Sequence, residues 1–250
     1  MSKTILITGA SAGIGKAIAY QFAKNDWSLI LVARRLERLK EIKDDIGKDN
    51  IHIESIDVRD KKEVKEFIQN LPNDFKDIDV LCNNAGLDTV GGLIQNSNVD
   101  DWDTVVDVNI KGVLYFTGYV LPIMVKKNSG HIVNIGSVGG SYPYPRGNIY
   151  ASTKAFIKLF TKQLKADLFG TNIRVTNIEP GITKTEFSIV RNKGDKEEGE
   201  KFYQGIRHLN AEDIADAVFW AVSRPEHVNI NSIEIMPVDQ AWGPFNVKRN

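Results

Sequence analysis

The sequence predicts an α/β fold: one doubly wound domain over 1–250, built on a parallel sheet of about seven strands with helices on both faces. Three observations carry this. Short apolar, β-branched runs alternate with longer amphipathic stretches nearly from end to end, the pattern of strand-helix-strand units with right-handed crossovers. Several of the short runs, SLILV at 28–32 among them, are apolar along their whole length, as strands covered on both faces are. No Pro/Ser/Gly-rich linker divides the chain.

The first strand is KTILIT at 3–8. The opening MSKTILITGA has an apolar part too short for a signal peptide, and a strand accounts for it better. Thr8-Gly9-Ala10-Ser11-Ala12-Gly13-Ile14-Gly15 then leads into a helix over 14–24. Glycines there let the backbone turn tightly and approach a ligand, and free N–H groups at a helix start favour a phosphate. The spacing G-x-x-x-G-x-G differs from the G-x-G-x-x-G dinucleotide fingerprint, so alone it is equally a plain turn; its place in the first βα turn of a doubly wound sheet favours a dinucleotide. The second strand, 28–32, ends in Ala33-Arg34-Arg35. A carboxylate there would bind the ribose 2′-OH of NAD, whereas arginines suit the 2′-phosphate of NADP, with a surface role opening the helix 36–46 as the alternative.

The third strand, IHIESI at 51–56, precedes Asp57-Val58 and a helix over 61–70; the fourth, IDVLC at 78–82, precedes Asn83-Asn84-Ala85-Gly86. Cys82, the single cysteine, forms no internal disulfide and reads as a small apolar residue beside Val80 and Leu81, which fits a reducing compartment. The helix over 109–127 contains the longest mostly apolar segment, GVLYFTGYVLPIMV at 112–125, shorter than a membrane span and carrying Pro122. The strand HIVNIG at 131–136 ends in Ser137, the helix 150–169 opens with Tyr150 and Lys154, and the strand IRVTNI at 173–178 leads into Pro180-Gly181-Ile182-Thr183-Lys184-Thr185. The polar run RNKGDKEEGEK at 191–201 lacks an apolar stripe and reads as a solvated loop or helix, or as part of a flap over a site, around 183–207. A helix over 211–223 and the strand SIEIM at 232–236 complete the pattern.

Lys+Arg and Asp+Glu balance at 32 each, so no global charge draws the chain to nucleic acid or anionic lipid. The histidines at 52, 131, 208 and 227 show no ligand spacing, and no metal is expected. Tyr150 and Lys154, four apart, share one helix face. A nearby ammonium favours the phenolate and lowers a tyrosine pKa that is otherwise near 10. Ser137, at the end of a strand, should project its hydroxyl from the carboxyl edge of the sheet, where ligands bind in such folds.

Taken together, T-G-x-x-x-G-x-G at 8–15, Asn83-Asn84-Ala85-Gly86, Asn109, Ser137 and Tyr150-x-x-x-Lys154, in this order over the whole chain, resemble the short-chain dehydrogenases/reductases, whose domain is a Rossmann fold. The resemblance implies that Tyr150 is the acid/base, that Ser137 hydrogen-bonds the substrate oxygen, that Lys154 also holds the nicotinamide ribose, and that Asn109 holds a water joining the lysine to solvent. It further implies cofactor contacts at Gly9, Ala10, Ser11, Ala12, Gly13, Ile14 and Gly15. Asp57 and Val58 would meet the adenine, with an acidic helix cap as the other reading; Asn84, Ala85 and Gly86 would meet its ribose, and Pro180, Gly181, Ile182, Thr183 and Thr185 the carboxamide and phosphates. Family members are commonly homotetramers joined through their two long helices, the last helix and the last strand, and this chain is expected to be a cytoplasmic one.

The stretches ARRLERLKEIK at 33–43, IEPGITKTEFSIVRNKGD at 178–195 and HVNINSIEIMPVDQ at 227–240 resemble the NADP-dependent 3-hydroxy acid dehydrogenases, which act on serine, allo-threonine and 3-hydroxypropionate-like acids. Asp88-Thr89-Val90-Gly91-Gly92 and Arg146 depart from that group beside the expected pocket. A 3-hydroxy acid needs a cation for its carboxylate, and Arg146 and Arg191 are the candidates by position, each with a surface role as the alternative. His208 is the one histidine near the flap. A broad NADPH-dependent carbonyl or 3-oxoacyl reductase is the alternative enzyme, and a non-catalytic nucleotide sensor the alternative outside enzymes.

Overall fold

The computed structural model describes residues 2–89 and 93–242. The fully apolar runs become strands buried on both faces: β1 (Thr4–Thr8) and β2 (Ser28–Ala33) are buried at every position. With β3 (Ile51–Ser55), β4 (Val80–Asn83), β5 (Gly130–Ile135), β6 (Ile173–Pro180) and β9 (Ser232–Ile235) they form one seven-stranded parallel sheet in the order β3-β2-β1-β4-β5-β6-β9. Winding reverses between β1 and β4, so their carboxyl ends open a crevice at that switch point.

The helices cover both faces, as apolar strands require. On one side α1 (Gly13–Lys24), α2 (Leu36–Ile46) and α9 (Ala211–Val222) bury Ile18, Phe22, Leu39, Ile214 and Val218. On the other, α3 (Lys61–Gln69), α5 (Gly112–Lys127) and α6 (Asn148–Asp167) bury Phe67, Phe116, Met124 and Leu164. Cys82 is fully buried in the first cluster, and burial pushes its thiol up to about 12, the state of an unreactive apolar side chain.

The structure differs from the sequence expectation in three places. The helix expected from 109 begins ten residues earlier: α4 (Val99–Val106), capped by Asn98, runs through a π turn at Asp107–Lys111 into α5. The resulting rod, Val99–Lys127, is long and apolar enough to cross a membrane by length and composition, although Phe116, Val120 and Met124 face the core. The cap of α3 is Asp60, which accepts from the Lys62 and Glu63 amides, while Asp57 pairs with Arg59 at 2.6 Å. Between β6 and α9 the chain forms β7 (Thr183–Lys184), α7 (Phe187–Arg191), α8 (Lys196–Lys201) and β8 (Leu209–Asn210), with β7 and β8 paired in parallel. The polar run at 191–201 therefore contains a short solvated helix, opened by Asp195 as its cap.

Candidate active site

A cleft of ≈ 1080 Å³ follows the carboxyl edge of the sheet, from the β1–α1 turn to the β6–β7 segment. All but three of the residues predicted for the site line it; Ala10, Gly15 and Asn109 stand behind its wall.

At one end, helix α1 starts without a side-chain cap: Ala12 is at the N-cap position and its first turn carries no acid, leaving first-turn N–H groups for an anion. Gly9 (φ +67°) and Gly13 (φ +52°) hold the turn in the left-handed region. A Cβ at Gly9 would stand 2.9 Å from Ala85 Cα, so the turn and the Asn84-Ala85-Gly86 segment are pressed together. Thr8 Oγ1 accepts from the Asn84 and Ala85 amides at 3.0 Å, and Asn84 Nδ2 donates to Thr8 O at 2.9 Å. Asn84 thus braces the glycine turn through its side chain.

The two arginines after β2 separate. Arg34 is exposed at the cleft and its guanidinium makes no hydrogen bond or ion pair with a described residue. Arg35 donates to Ser11 Oγ from Nε at 3.2 Å and to Glu186 at 3.1 Å, and Arg38 donates to Glu186 at 2.6 Å. An uncapped helix start, a glycine turn a Cβ would fill and an uncommitted guanidinium fit a dinucleotide bearing an extra phosphate.

In the middle of the cleft, the Ser137 hydroxyl stands near enough to the Tyr150 phenol to favour its ionised form, and Ser137 Oγ accepts from the Gly139 amide at 3.1 Å. Lys154 is buried, donates from Nζ to Ile135 O at 2.8 Å, and stands 5.7 Å from the Tyr150 ring centroid. Burial raises the Tyr150 phenol above its ordinary value, and the nearby Ser137 hydroxyl only partly counters it. That differs from the depressed value expected from an adjacent ammonium: desolvation dominates, and the lysine points to a main-chain carbonyl. The same burial lowers Lys154 to about 8.

Asn109, in the π turn, uses its whole amide on protein: Oδ1 accepts from Leu87 N and Nδ2 donates to Leu87 O, both at 2.9 Å, and Nδ2 also reaches Thr153 Oγ1. Its side chain locks the strand exit after Gly86 to α6. Ile182 likewise has both main-chain groups taken, its N–H by Gln240 Oε1 at 2.7 Å and its C=O by the Leu209 amide at 2.9 Å. Asp57 and Val58 line the cleft, and the Arg59 hydrogen bond, against burial, holds Asp57 below the ordinary carboxylate value. His208 does not line the cleft; it bonds Leu209 O and packs edge-on to Tyr203. Among the described residues no His/Cys/Asp/Glu group could hold a metal.

The segment from Thr185 to Lys193 lies across the cleft. Thr185 meets Gly13, Glu186 takes Arg35 and Arg38, Phe187 packs 5.5 Å from the Tyr150 ring centroid, Arg191 Nε stands 3.0 Å from Asp88 Oδ2, and Lys193 pairs with Asp101. Arg146, exposed with φ +70°, lines the cleft beside Tyr144. Sequence reasoning assigned no role to Glu186, Phe187 and Gln240, because nothing in their local pattern signals the long-range contacts that bring them here.

A family profile described as short chain dehydrogenase matches residues 3–196. The NADP-dependent 3-hydroxy acid dehydrogenase YdfG of Escherichia coli strain K12 is 47% identical over 246 residues, 98% of this chain and 99% of that protein. Sulfoacetaldehyde reductase 2 of Chromohalobacter salexigens is 43% identical over 252 residues, covering 100% of both. Among solved structures, the closed form of serine dehydrogenase complexed with NADP+ superposes with a TM-score of 0.97 at 47% identity, covering 99% of this chain and 100% of that one.

Proposed function

The chain belongs to the short-chain dehydrogenase family, and we propose that it is an NADP-dependent oxidoreductase interconverting a 3-hydroxy acid, such as serine, allo-threonine or 3-hydroxypropionate, with its 3-oxo acid or semialdehyde. The observation that carries the reading is the convergence of Ser137, Tyr150 and buried Lys154 in one cleft whose far end suits a phosphate-bearing dinucleotide. When bound, the nicotinamide would supply or accept the hydride.

The chain's own residues handle position and the proton. In reduction, Tyr150 Oη gives its proton to the carbonyl oxygen; burial, which keeps the phenol protonated, suits that direction. In oxidation the same oxygen takes the proton of the alcohol. Ser137 Oγ, placed by its bond from Gly139 N, donates to the substrate oxygen and stabilises charge there. Lys154 brings a cation to the Tyr150 ring and would hold the cofactor ribose; Asn109 acts through the Leu87 clamp. The α1 start, the β1–α1 glycines and Arg34 would hold the phosphates, with Asp57 and Val58 towards the adenine. Arg35 is a weaker candidate than Arg34 because Glu186 and Ser11 already occupy it.

Arg191 is the better candidate for the substrate carboxylate: it lines the cleft on the same helix as Phe187, which packs on Tyr150, whereas Arg146 is exposed. The 183–207 segment, tied down by ion pairs at Glu186, Arg191 and Lys193, serves as the flap. One assay tests the reading: 3-hydroxypropionate and serine with NADP and NAD, beside a neutral 3-oxo ester with NADPH. We expect the acids to turn over with NADP, and Arg34→Ser to lower kcat/KM with NADP by about tenfold or more while sparing NAD, the loss expected for a charge-assisted phosphate contact. Turnover of the ester alone would favour the broad carbonyl reductase.

The assembly proposed is a homotetramer in the cytoplasm. Leu114 on α5 and Phe156 and Leu159 on α6 are exposed apolar side chains on the two long helices, and Trp220 on α9 is a further one. Light scattering should give four times the chain mass of 28.0 kDa; a mass near one chain would refute the tetramer.

A further inference from the structure

We propose that Asp88 is a positioning residue for substrate recognition: its buried carboxylate holds Arg191 by the Nε edge, so that both terminal guanidinium nitrogens are left for the carboxylate of a 3-hydroxy acid. The inference rests on the reading of Arg191 given above.

Asp88 follows directly on the Asn84-Ala85-Gly86-Leu87 segment and is only 4% exposed. A buried carboxylate is costly unless it serves a partner, and this one has few. Oδ1 is fixed by the Thr89 amide at 2.8 Å, so the side chain is anchored to its own loop. Oδ2 meets Arg191 at 3.0 Å, through Nε, as an ion pair outside hydrogen-bond geometry. Neither terminal nitrogen of Arg191 donates to a described residue. The arginine lines the main cleft, whereas Asp88 stands behind it, in a small void shared with Trp102 and Tyr150.

That division of space decides between two roles. A carboxylate competing with substrate would enter the cleft and take the planar fork of the guanidinium. Asp88 does neither. It takes the single-donor edge from behind and leaves free the fork that pairs two-to-two with a carboxylate. Because the contact is ionic and not a linear hydrogen bond, its hold depends on the charge of Asp88. Burial raises Asp88 to about 6, against the pull of Arg191 and the Thr89 amide, so it is ionised at pH 7 and 8. The other titratable groups near the pair are Tyr144 and Tyr150, both pushed upward by burial and neutral in that range.

The test compares wild type, Asp88→Asn and Arg191→Met by KM and kcat for 3-hydroxypropionate with NADP, and for a neutral 3-oxo ester with NADPH. Asp88→Asn should raise KM for the acid about tenfold, equivalent to ~1.4 kcal/mol, with kcat nearly unchanged and both ester constants unaltered. In wild type the KM for the acid should climb as pH falls through about 6, and in Asp88→Asn that climb should vanish. Ester turnover reports an intact fold; if Asp88→Asn is not recovered folded, Asp88→Ser carries the same expectation. An unchanged or lower KM in Asp88→Asn, while Arg191→Met raises it, overturns the positioning role alone. Unchanged KM in Arg191→Met sinks the Arg191 reading and this inference with it.

Discussion

Tyr150→Phe should lower kcat in both directions by about 10²- to 10⁴-fold, the range that a positioned acid/base contributes, while NADPH affinity stays nearly constant. The substitution removes one atom. The ring keeps its packing against Phe187, and Lys154 keeps its bond to Ile135 O, so the cleft retains its shape. What disappears is the phenol proton that the proposed mechanism gives to the carbonyl oxygen. Steady-state rates with NADPH and a 3-oxo substrate, alongside fluorescence titration of NADPH, separate the two quantities. An unchanged rate would mean that another group moves the proton, and the nucleotide-sensor reading would then regain weight.

The raised phenol adds a pH signature to that experiment. With Tyr150 as the proposed acid/base, oxidation needs its oxygen to accept a proton, so in wild type oxidation should accelerate as pH rises, whereas reduction, which uses the protonated phenol, should not. The two directions should therefore differ, oxidation rising with pH and reduction staying flat. Tyr150→Phe should remove the rise in oxidation.

How much of this was legible beforehand depended on the range of the physics involved. The runs TILIT and SLILVA declare themselves because a strand buried on both faces leaves no polar position to alternate with. The glycine turn, Ser137 and Tyr150-x-x-x-Lys154 were readable because each needs a residue type at a fixed place along one element. Short elements were not. α4, VDDWDTVV, carries too few periods to announce a helix, and α7 and α8 are shorter still. Charge partners were also hidden. Arg35 and Arg38 meet Glu186 across some 150 residues, and no local pattern distinguishes the committed Arg35 from the uncommitted Arg34. The raised pKa of Tyr150 is hidden for the same reason, since spacing to Lys154 is local but desolvation belongs to the whole fold.

The second large effect concerns the support beneath the site. Glu179, 1% exposed at the end of β6, accepts from Ser232 Oγ at 2.6 Å, Lys158 Nζ at 2.9 Å, and Ser141 Oγ and Asn177 Nδ2 at 3.0 Å. Lys158 lies one turn beyond Lys154 on α6, so this network ties the Tyr150–Lys154 helix to β6, to β9 and to the loop after Ser137. Lys158→Met should cost about 3 kcal/mol in unfolding free energy at pH 7, near the lower end for breaking a buried pair because Lys158 itself reaches water. The sign with pH follows from Glu179. Burial alone would raise it, but the hydrogen bonds from Ser232, Lys158 and Ser141 outweigh that and hold it below 4.5. Its contribution is therefore complete above pH 4.5 and is lost as pH falls through the folded value, so the gap between wild type and variant should narrow in acid. Urea unfolding at matched protein concentration, at neutral and acid pH, measures both. Adding Glu179→Gln should restore most of the loss at pH 7, because it removes the stranded charge; no restoration would mean that Lys158 stabilises α6 by packing.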